Sequence, residues 1–280
     1  MVPFEFEYYR PGSAREAVQL WRELRQAGMT PVYYAGGSEL LTMARAGNIQ
    51  FGAVIDIKGI PECRDLGEDG DTVYFGAAAT LGEIEASGLF PLLGRAGGRV
   101  ADHTMQQRIT LGGNISGTIR YRETALPLLL ADAEMAVCAP DGVWTAPIHQ
   151  VFSGRLSLPE GAFLTGCRVL KEHARAPHAH IKKTKNERID YPVATLCALE
   201  TDGYLRWAAS GVLENPFRDL ELEEILNDRR AEPRLRAEKI VEALRPGAVS
   251  DVFAAAEFRL FVLKGALMEI LSMEREVALA

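Results

Sequence analysis

The stretch PVYYAGGSELLTMARAGNIQFGAVIDI, residues 31–57, decides the fold. Residues 30–35 carry the β-branched and aromatic side chains typical of a strand. Residues 36–47 predict a glycine turn followed by a short helix, and residues 53–57 predict a second strand. A strand, a helix and a strand in this order predict a small βαβ unit whose two strands pair in parallel.

The segments on either side of this unit carry further helix and strand signals. Upstream, Ser13 opens a run with apolar residues at helical spacing, and Gly28 ends it. Downstream, residues 71–77 predict a strand. Thr80 and Glu83 have the spacing of a capping box, so a helix is expected to begin there.

The middle of the chain predicts a helical stretch and then an antiparallel pair of strands. Residues 88–102 are helical in pattern despite their glycines. Residues 134–147 divide into two strands around Asp141-Gly142, a dipeptide that favours the left-handed angles of a tight hairpin turn. Antiparallel sheet is therefore expected to follow the parallel unit.

The last third of the chain predicts a second domain. The polar, basic run 173–192 separates the apolar strand 161–170 from a hairpin around Asp202-Gly203. Three helical patterns follow, at residues 220–227, 233–244 and 255–276, the last with one apolar face formed by Leu260, Leu263, Leu267, Ile270 and Leu271. We expect an α+β protein with a domain boundary near residue 173, in which an antiparallel sheet backed by about three helices forms the C-terminal domain.

Composition excludes several classes of protein. The chain has 280 residues, of which 48% are hydrophobic and 25% charged, as in ordinary globular proteins. Its net charge of −7 argues against nucleic-acid binding, which needs a concentrated basic face. The N-terminal residues lack the features of a signal peptide and no stretch is long and apolar enough to span a membrane, so a cytoplasmic location is expected.

The spacing of the cysteines does not indicate a metal centre. Cys63, Cys138, Cys167 and Cys197 stand far apart, without the close pairs that bind zinc or iron-sulfur clusters. We expect buried thiols. His178 and His180 have a spacing compatible with metal ligation on one face of a strand, but no third ligand is evident, and we predict no metal there.

Two glycine pairs are the candidate binding motifs. Gly36-Gly37 follows a strand and opens a helix, and Gly112-Gly113 lies in the run Thr110–Asn114. Glycine lets backbone N–H groups approach a phosphate closely, and a helix N-terminus adds donors and a favourable field. The alternative for each pair is a simple glycine turn at the end of a strand. Neither pair matches the GxGxxG or GxxxxGK[ST] fingerprint, so the common nucleotide-binding folds are disfavoured.

Around these pairs the chain resembles the FAD-binding, or medium, subunits of the xanthine dehydrogenase and carbon monoxide dehydrogenase family of molybdenum hydroxylases. The likeness spans nearly the whole chain. It rests on FEYYRPGSAREAVQL, YYAGGSELL, VIDIKGI, RITLGGNI, LPLLLADAEMAVCAPDGVWTAPIHQVFSG and DVFAAAEFRLFVLKGAL. Two glycine signatures in this order are more specific than either alone.

The resemblance implies an FAD-binding domain over residues 1–172, with subdomains of about 1–57 and 58–172, and a C-terminal domain over residues 173–280. FAD is expected to extend between the two subdomains. Its predicted contacts are in the two glycine segments, at Val32, Tyr33, Tyr34, Ala35, Gly36, Gly37, Ser38 and Glu39, and at Thr110, Leu111, Gly112, Gly113 and Asn114.

Further contacts are carried over from the resemblance at single positions. Glu123 stands where the family usually has an aspartate, in a segment TIRYRET that departs from the family pattern. Phe163 and Leu164 would be apolar neighbours of the flavin, and Lys182 a lysine contact. Gln106 replaces the family's arginine before the second glycine pair. The alternative for Glu123 is a solvent-facing residue that only favours a helix N-terminus.

The remaining charged residues have plainer interpretations. Contact with phosphate or a partner subunit is one interpretation of Arg120 and Arg122, but a solvated charged turn is the preferred interpretation. Lys183, Lys185 and Arg188 continue the basic run beyond Lys182 and are typical of a solvated face. No catalytic side chain is predicted, since no nucleophile with its base and no paired carboxylates are evident.

The resemblance implies an electron-transfer subunit that acts in a complex. A large subunit with the molybdenum cofactor would oxidise the substrate, and a small subunit with [2Fe-2S] clusters would deliver electrons to FAD here, for transfer to NAD, O₂ or another acceptor. A dimer of such heterotrimers is expected. Two alternatives stay open: a self-sufficient flavin oxidoreductase with its own substrate, and a non-catalytic assembly or scaffold protein that has lost FAD.

Overall fold

The structure, a computed structural model, describes the backbone of residues 1–278 and the side chains of residues 1–272. These residues form three β-sheets, which we call the first, second and third sheets in chain order. Residues 1–59 form the first sheet and its helices. These elements are β1 (Glu7–Tyr9), α1 (Ala14–Gln26), β2 (Pro31–Tyr34), α2 (Ser38–Arg45), β3 (Ala53–Asp56) and a 3₁₀ turn (Ile57–Gly59).

The first sheet is parallel, in the order β1-β3-β2. Helix α1 packs against Ala53 and Ile55 on one face of the sheet, and α2 packs against Val54 on the other. Because both faces are covered, β3 is buried along its length and its first three residues are apolar, as parallel strands usually are. The predicted βαβ unit is therefore confirmed. The short edge strand β1 was not predicted.

The second sheet is antiparallel throughout, in the order β4-β5-β8-β6-β7. The predicted hairpin forms, but only Gly142 of the Asp141-Gly142 dipeptide has a positive φ, of 145°. The predicted helix over residues 88–102 covers only Pro91–Gly97, because Gly88 ends the preceding helix in a left-handed conformation with φ = 64°. The elements are α3 (Pro61–Arg64), β4 (Leu66–Asp69), β5 (Thr72–Gly76), α4 (Leu81–Ser87), α5 (Pro91–Gly97), α6 (His103–Gln106), α7 (Leu111–Ser116), α8 (Ala125–Leu130), β6 (Glu134–Ala139), β7 (Gly142–Pro147), α9 (Ile148–Val151) and β8 (Phe163–Leu170).

The third sheet is a four-stranded antiparallel sheet in the order β12-β11-β10-β9. The strand of this sheet that comes first in the chain lies within the basic run 173–192. The sequence predicted only a connection over this run, whereas part of it is a strand. The elements are α10 (Lys171–Arg175), β9 (His178–Thr184), β10 (Pro192–Thr201), β11 (Tyr204–Ser210), β12 (Phe217–Arg218), α11 (Leu220–Asn227), α12 (Pro233–Leu244), a 3₁₀ turn (Arg245–Gly247) and α13 (Ala256–Ala278).

The two faces of the third sheet have different neighbours. Leu196 and Trp207 face α11, α12 and α13, and the five apolar residues predicted on α13 are all buried in that core. Cys197, Leu199 and Ala208 face the other way and share the core of the second sheet. The predicted α+β fold, with an antiparallel C-terminal sheet backed by three helices, is confirmed.

The four cysteines are buried and free, as expected. No helix within residues 1–278 combines the length and the apolar character needed to cross a membrane.

The core around α13 gives a test of the packing. Leu263 is fully buried, so Leu263→Ala should lower the free energy of unfolding by about 2–5 kcal/mol. Leu235→Ala on α12 is the control, because Leu235 is 46% exposed and should change stability by about 0.5 kcal/mol at most. Urea unfolding followed by circular dichroism measures both. Equal losses in the two variants would contradict this packing.

Candidate functional site

The two glycine segments, Val32–Glu39 and Thr110–Asn114, meet at Gly36. A Cβ atom built on Gly36 would lie 1.8 Å from the carbonyl oxygen of Arg108, closer than any side chain permits. The next residue, Gly37, has φ = 70° and lies against the ring of Tyr34. Gly36 is thus required for the close approach of the two segments, and Gly37 for the left-handed turn that opens α2.

The first glycine segment presents an uncapped helix N-terminus. Gly37 is the N-cap residue of α2, and it has no side chain to accept a hydrogen bond from the first turn. The N–H groups of a first helical turn have no partners within the helix. These donors and the positive end of the helix dipole make this terminus suited to an anion such as phosphate.

The second glycine segment uses its N–H groups internally. Gly112 lies so close to Ala77 that an added Cβ would be 2.8 Å from the Ala77 Cβ. Each amide from 111 to 114 donates within the protein: Leu111 to Ala79 (3.0 Å), Gly112 to Ala77 (2.8 Å), Gly113 to the Thr110 hydroxyl (3.2 Å) and Asn114 to Thr110 (2.8 Å). The structure therefore favours the first segment over the second for direct binding of phosphate.

Side-chain hydrogen bonds join the two segments to the chain that follows them. The Glu39 carboxylate accepts from the backbone N–H of Thr118 at 2.7 Å and from its hydroxyl. The Asn114 side chain accepts from the Thr124 hydroxyl at 2.6 Å. Both glycine segments are thus tied to residues 118–124, the part of the chain that carries Glu123.

Glu123 and Lys182 form a buried ion pair. Their charged atoms, Lys182 Nζ and Glu123 Oε2, lie 2.8 Å apart, and the two side chains are 3% and 1% exposed respectively. Lys182 Nζ also donates to the Arg99 carbonyl at 2.7 Å, and the hydroxyl of Thr195 donates to the other Glu123 oxygen. The alternative of a solvent-facing Glu123 is wrong, and Lys182 does not belong to the solvated basic face.

Phe163 and Leu164 lie in β8 and contact different parts of the site. The ring of Phe163 is 4.4 Å from that of Tyr33 in the first segment, measured between centroids. Leu164 shares a hydrophobic core with Leu111 of the second segment. Both residues are buried, and their packing supports the two glycine segments. The structure brings the predicted residues together in one connected region, with contacts from the first segment through to Lys182.

Several polar residues differ from their predicted surroundings. Arg122 is fully buried and donates to the carbonyls of Gly117 and Gly154, both at 2.7 Å, so the solvated turn expected for it is wrong. Arg120 pairs with Asp251 at 3.3 Å. Gln106 is buried and donates to the Gly98 carbonyl at 3.1 Å. Arg120 and Arg122 thus connect their loop to segments distant in the chain, whereas Gln106 holds a local turn.

His180 is a neutral side chain beside the ion pair. Burial, together with the nearby Arg99 and Lys182 cations, lowers the pKa of His180 to about 4. His178 and His180 lie on the same strand, and within the described side chains no group of three or more potential metal ligands is present.

The sequence analysis did not single out two residues that contact the site. Thr195 faces Lys182 across the β9–β10 pair, and its position as a hydroxyl within the apolar stretch of residues 193–199 was the available signal. Lys58 follows β3, and its Nζ donates to the carbonyl of Ala35 at 2.9 Å. Its position at the carboxyl end of a parallel strand, next to the end of β2, was the signal there.

A cavity of 520 Å³ lies elsewhere in the structure, between α1 and the β6–β7 hairpin. It is lined by α1 residues such as Arg15 and Arg22 and by residues 138–143, and none of these is a predicted site residue. The glycine segments carry the stronger chemical signal for a ligand, because an uncapped helix N-terminus lies there and hydrogen bonds connect both segments to the chain that carries the buried Glu123.

The close approach at Gly36 predicts a large effect of one methyl group. Gly36→Ala should lower the free energy of unfolding by about 1–3 kcal/mol or more, because the backbone of residues 36 and 108 must separate. Gly67→Ala is the matched control, since nothing lies within 4 Å of the added Cβ. Thermal and urea unfolding measure both variants. A Gly36→Ala protein as stable as Gly67→Ala would show that the segments do not touch.

The buried ion pair predicts a strong coupling between its partners. Glu123→Ala and Lys182→Met should each cost about 3–5 kcal/mol, because each leaves a buried charge unpaired. The double variant should lose less than the sum of the two. Glu160→Ala, which removes the exposed partner of Arg25, should cost about 0–1 kcal/mol and serves as the control. Additive losses in urea unfolding would contradict the pairing.

Comparisons with known proteins show the family of this chain. Residues 4–169 match the family model described as the FAD binding domain in molybdopterin dehydrogenase. The carbon monoxide dehydrogenase medium chain of Hydrogenophaga pseudoflava is 34% identical over 158 residues, which are 55% of this chain and 54% of that protein. The xanthine dehydrogenase FAD-binding subunit of Escherichia coli O157:H7 is 26% identical over 292 aligned positions and 96% of both chains.

Two solved structures share the fold of this chain. A chain of carbon monoxide dehydrogenase from Hydrogenophaga pseudoflava superposes with a TM-score of 0.85 over 96% of both chains, at 25% identity. Quinoline 2-oxidoreductase from Pseudomonas putida 86 shares the fold, with a TM-score of 0.83 over 99% of both chains at 19% identity. The chain therefore belongs to the family of FAD-binding domains of molybdopterin dehydrogenases, and it is an FAD-binding oxidoreductase subunit of the molybdenum hydroxylase family.

Proposed function

We propose that this chain is the electron-transfer subunit of a molybdenum hydroxylase complex. It would take electrons from the [2Fe-2S] clusters of a small partner subunit, while a large subunit with the molybdenum cofactor oxidises the organic substrate. NAD, O₂ or another acceptor would receive the electrons. When bound, FAD supplies the chemistry that accepts and passes on electrons, so the chain needs no acid or base of its own.

The close approach of the two glycine segments, and their hydrogen bonds to the chain that carries Glu123, is the observation that carries this proposal. We assign the cofactor diphosphate to the uncapped N-terminus of α2, since that is where free backbone donors are expected. Phe163 and Leu164 would support the site, as would the packed second segment. The site residues fit FAD, because glycines leave room for close backbone approach and an uncapped helix N-terminus is suited to an anion.

Glu123 and Lys182 are proposed to border the flavin. A carboxylate has about four lone-pair sites, and Lys182 and Thr195 use only part of this capacity. Glu123 therefore keeps accepting capacity for a cofactor hydroxyl, which would reach it once the residues that cover its carboxylate move aside. Lys182 brings a fixed cation to the same place from the third sheet, so a C-terminal domain starting near residue 173 would complete a site built mainly by residues 1–172.

The partner subunits are inferred from the relatives. Two of them are a carbon monoxide dehydrogenase medium chain and a xanthine dehydrogenase FAD-binding subunit. We propose that this chain likewise assembles with a molybdenum-containing large subunit and an iron-sulfur small subunit, in a dimer of heterotrimers. A cytoplasmic location fits the four free, buried thiols, since such thiols are usual in reducing compartments.

Purified wild-type chain should bind FAD without a covalent link and show the absorption bands of a flavoprotein. Gly36→Ala should retain much less FAD than the Gly67→Ala control, because widening the gap between the segments displaces the α2 N-terminus. Absorption spectra of the purified variants, before and after addition of FAD, provide the measurement. A wild-type chain that stays colourless after FAD is added would favour the scaffold alternative instead.

Activity measurements on the purified chain distinguish an electron-transfer subunit from a self-sufficient enzyme. The chain alone should hydroxylate no substrate, and co-expression with neighbouring genes should yield a complex that does. Substrate oxidation by this chain without its partners would contradict the proposal.

A further inference from the structure

Lys58 links the end of β3 to the first glycine segment. Its Nζ donates to the Ala35 carbonyl at 2.9 Å and lies 2.8 Å from both carboxylate oxygens of Asp56. It also sits 4.2 Å from the centre of the Tyr34 ring, which itself lies against Gly37. One ammonium group thus contacts the glycine segment at two neighbouring residues.

The partners of Lys58 hold its ammonium in one place. Asp56 is buried and accepts hydrogen bonds from the Tyr8 hydroxyl and from the Lys58 backbone N–H, the latter at 2.9 Å. Burial alone would raise the pKa of Asp56, but the hydrogen bonds from Lys58 and Tyr8 lower it below the ordinary value, so the carboxylate is charged at neutral pH. Each of the three strands of the first sheet contributes a residue to this arrangement.

The contact with Ala35 fixes the direction of a backbone N–H. A peptide unit is planar and trans, so its carbonyl and its N–H point in opposite directions. When Lys58 holds the carbonyl of Ala35, the N–H of Gly36 must point away from Lys58. Gly36 cannot rotate freely either, because its Cα lies against the Arg108 carbonyl. The peptide before the uncapped N-terminus of α2 is therefore held from both sides.

We propose that Lys58 is a positioning residue for the FAD diphosphate, acting through the Ala35 carbonyl on the amides of the first glycine segment. This inference rests on the proposed function, because it takes the α2 N-terminus as the diphosphate site. The role of Asp56 and Tyr8 is to hold Lys58. Without Lys58 the 35–36 peptide is free to turn, and ordering it again on binding costs affinity.

The test compares two variants that both lack the ion pair between Asp56 and Lys58. Asp56→Asn keeps the ammonium near Ala35, whereas Asp56→Asn with Lys58→Met removes it and leaves no buried charge unpaired. We expect the double variant to bind both ADP and FAD about 10-fold more weakly than Asp56→Asn, at similar melting temperature. ADP carries the diphosphate without the flavin, and isothermal titration of the full chain measures both ligands.

Two further variants distinguish positioning from a general loss of structure. Asp56→Asn with Lys58→Arg restores a donor that reaches Ala35 and should recover most of the affinity. Glu238→Gln with Lys264→Met removes a similar 2.8 Å ion pair from the helices of the third sheet and should leave ADP binding unchanged.

The possible outcomes separate the two proposals. Equal ADP and FAD affinities for Asp56→Asn and the Lys58→Met double variant would overturn the role of Lys58 while leaving the FAD site standing. Failure of the Lys58→Arg double variant to recover affinity would also count against positioning through Ala35. A wild-type chain that binds neither ligand would overturn the proposed function and this inference with it.

Discussion

The contact between Gly36 and the Arg108 carbonyl is the constraint on which the rest of the site depends. It brings the end of a parallel strand in the first sheet against the loop that leads into α7. Any side chain at position 36 would push these segments apart. The uncapped N-terminus of α2 is thereby held at the junction of two sheets, and its donors acquire a fixed position relative to Glu123 and Lys182.

A buried ion pair likewise fixes the relative position of two parts of the site. The Glu123–Lys182 pair connects the chain after α7 to β9 of the third sheet, at 2.8 Å. Buried pairs seldom add much net stability, but breaking one is costly. Such a pair favours one relative placement of its two elements over others. Arg122, buried in the same segment, adds hydrogen bonds to carbonyls of two separate loops.

Much of the fold could be predicted from the sequence because local patterns and tertiary structure agree. The βαβ unit, the Thr80–Glu83 capping box and the α13 core face all follow from spacing that packing preserves. The extent of strand β9 could not be read from the sequence, although His178 and His180 were placed on a strand, because its two lysines break the usual apolar alternation. Lys182 turns inward to pair with Glu123, and Lys183 turns outward to pair with Glu269. Edge strand β1 is only three residues long and gives almost no periodic signal.

The candidate site could be predicted in part, because some of its chemistry is also visible in the local sequence. Glycine pairs are visible in a sequence, since their chemistry is local. Which of their amides are already used is not visible, because the acceptors Ala77 and Ala79 lie some thirty residues away in the chain. The pairing of Glu123 with Lys182 and of Lys58 with Ala35 depends likewise on which strands become neighbours. Burial of Arg122 has no local signature at all.

The hydrophobic core of the second sheet includes residues from beyond its last strand. Cys197, Leu199 and Ala208 belong to the third sheet, yet they pack among the side chains of β5, β8 and α8. The matched family region ends at residue 169, whereas this core does not. A fragment cut at that point would expose apolar surface to water and would be prone to aggregate. The two parts of the chain are therefore expected to melt in one cooperative transition, and recombination between relatives should succeed only when both sides of that core are exchanged together.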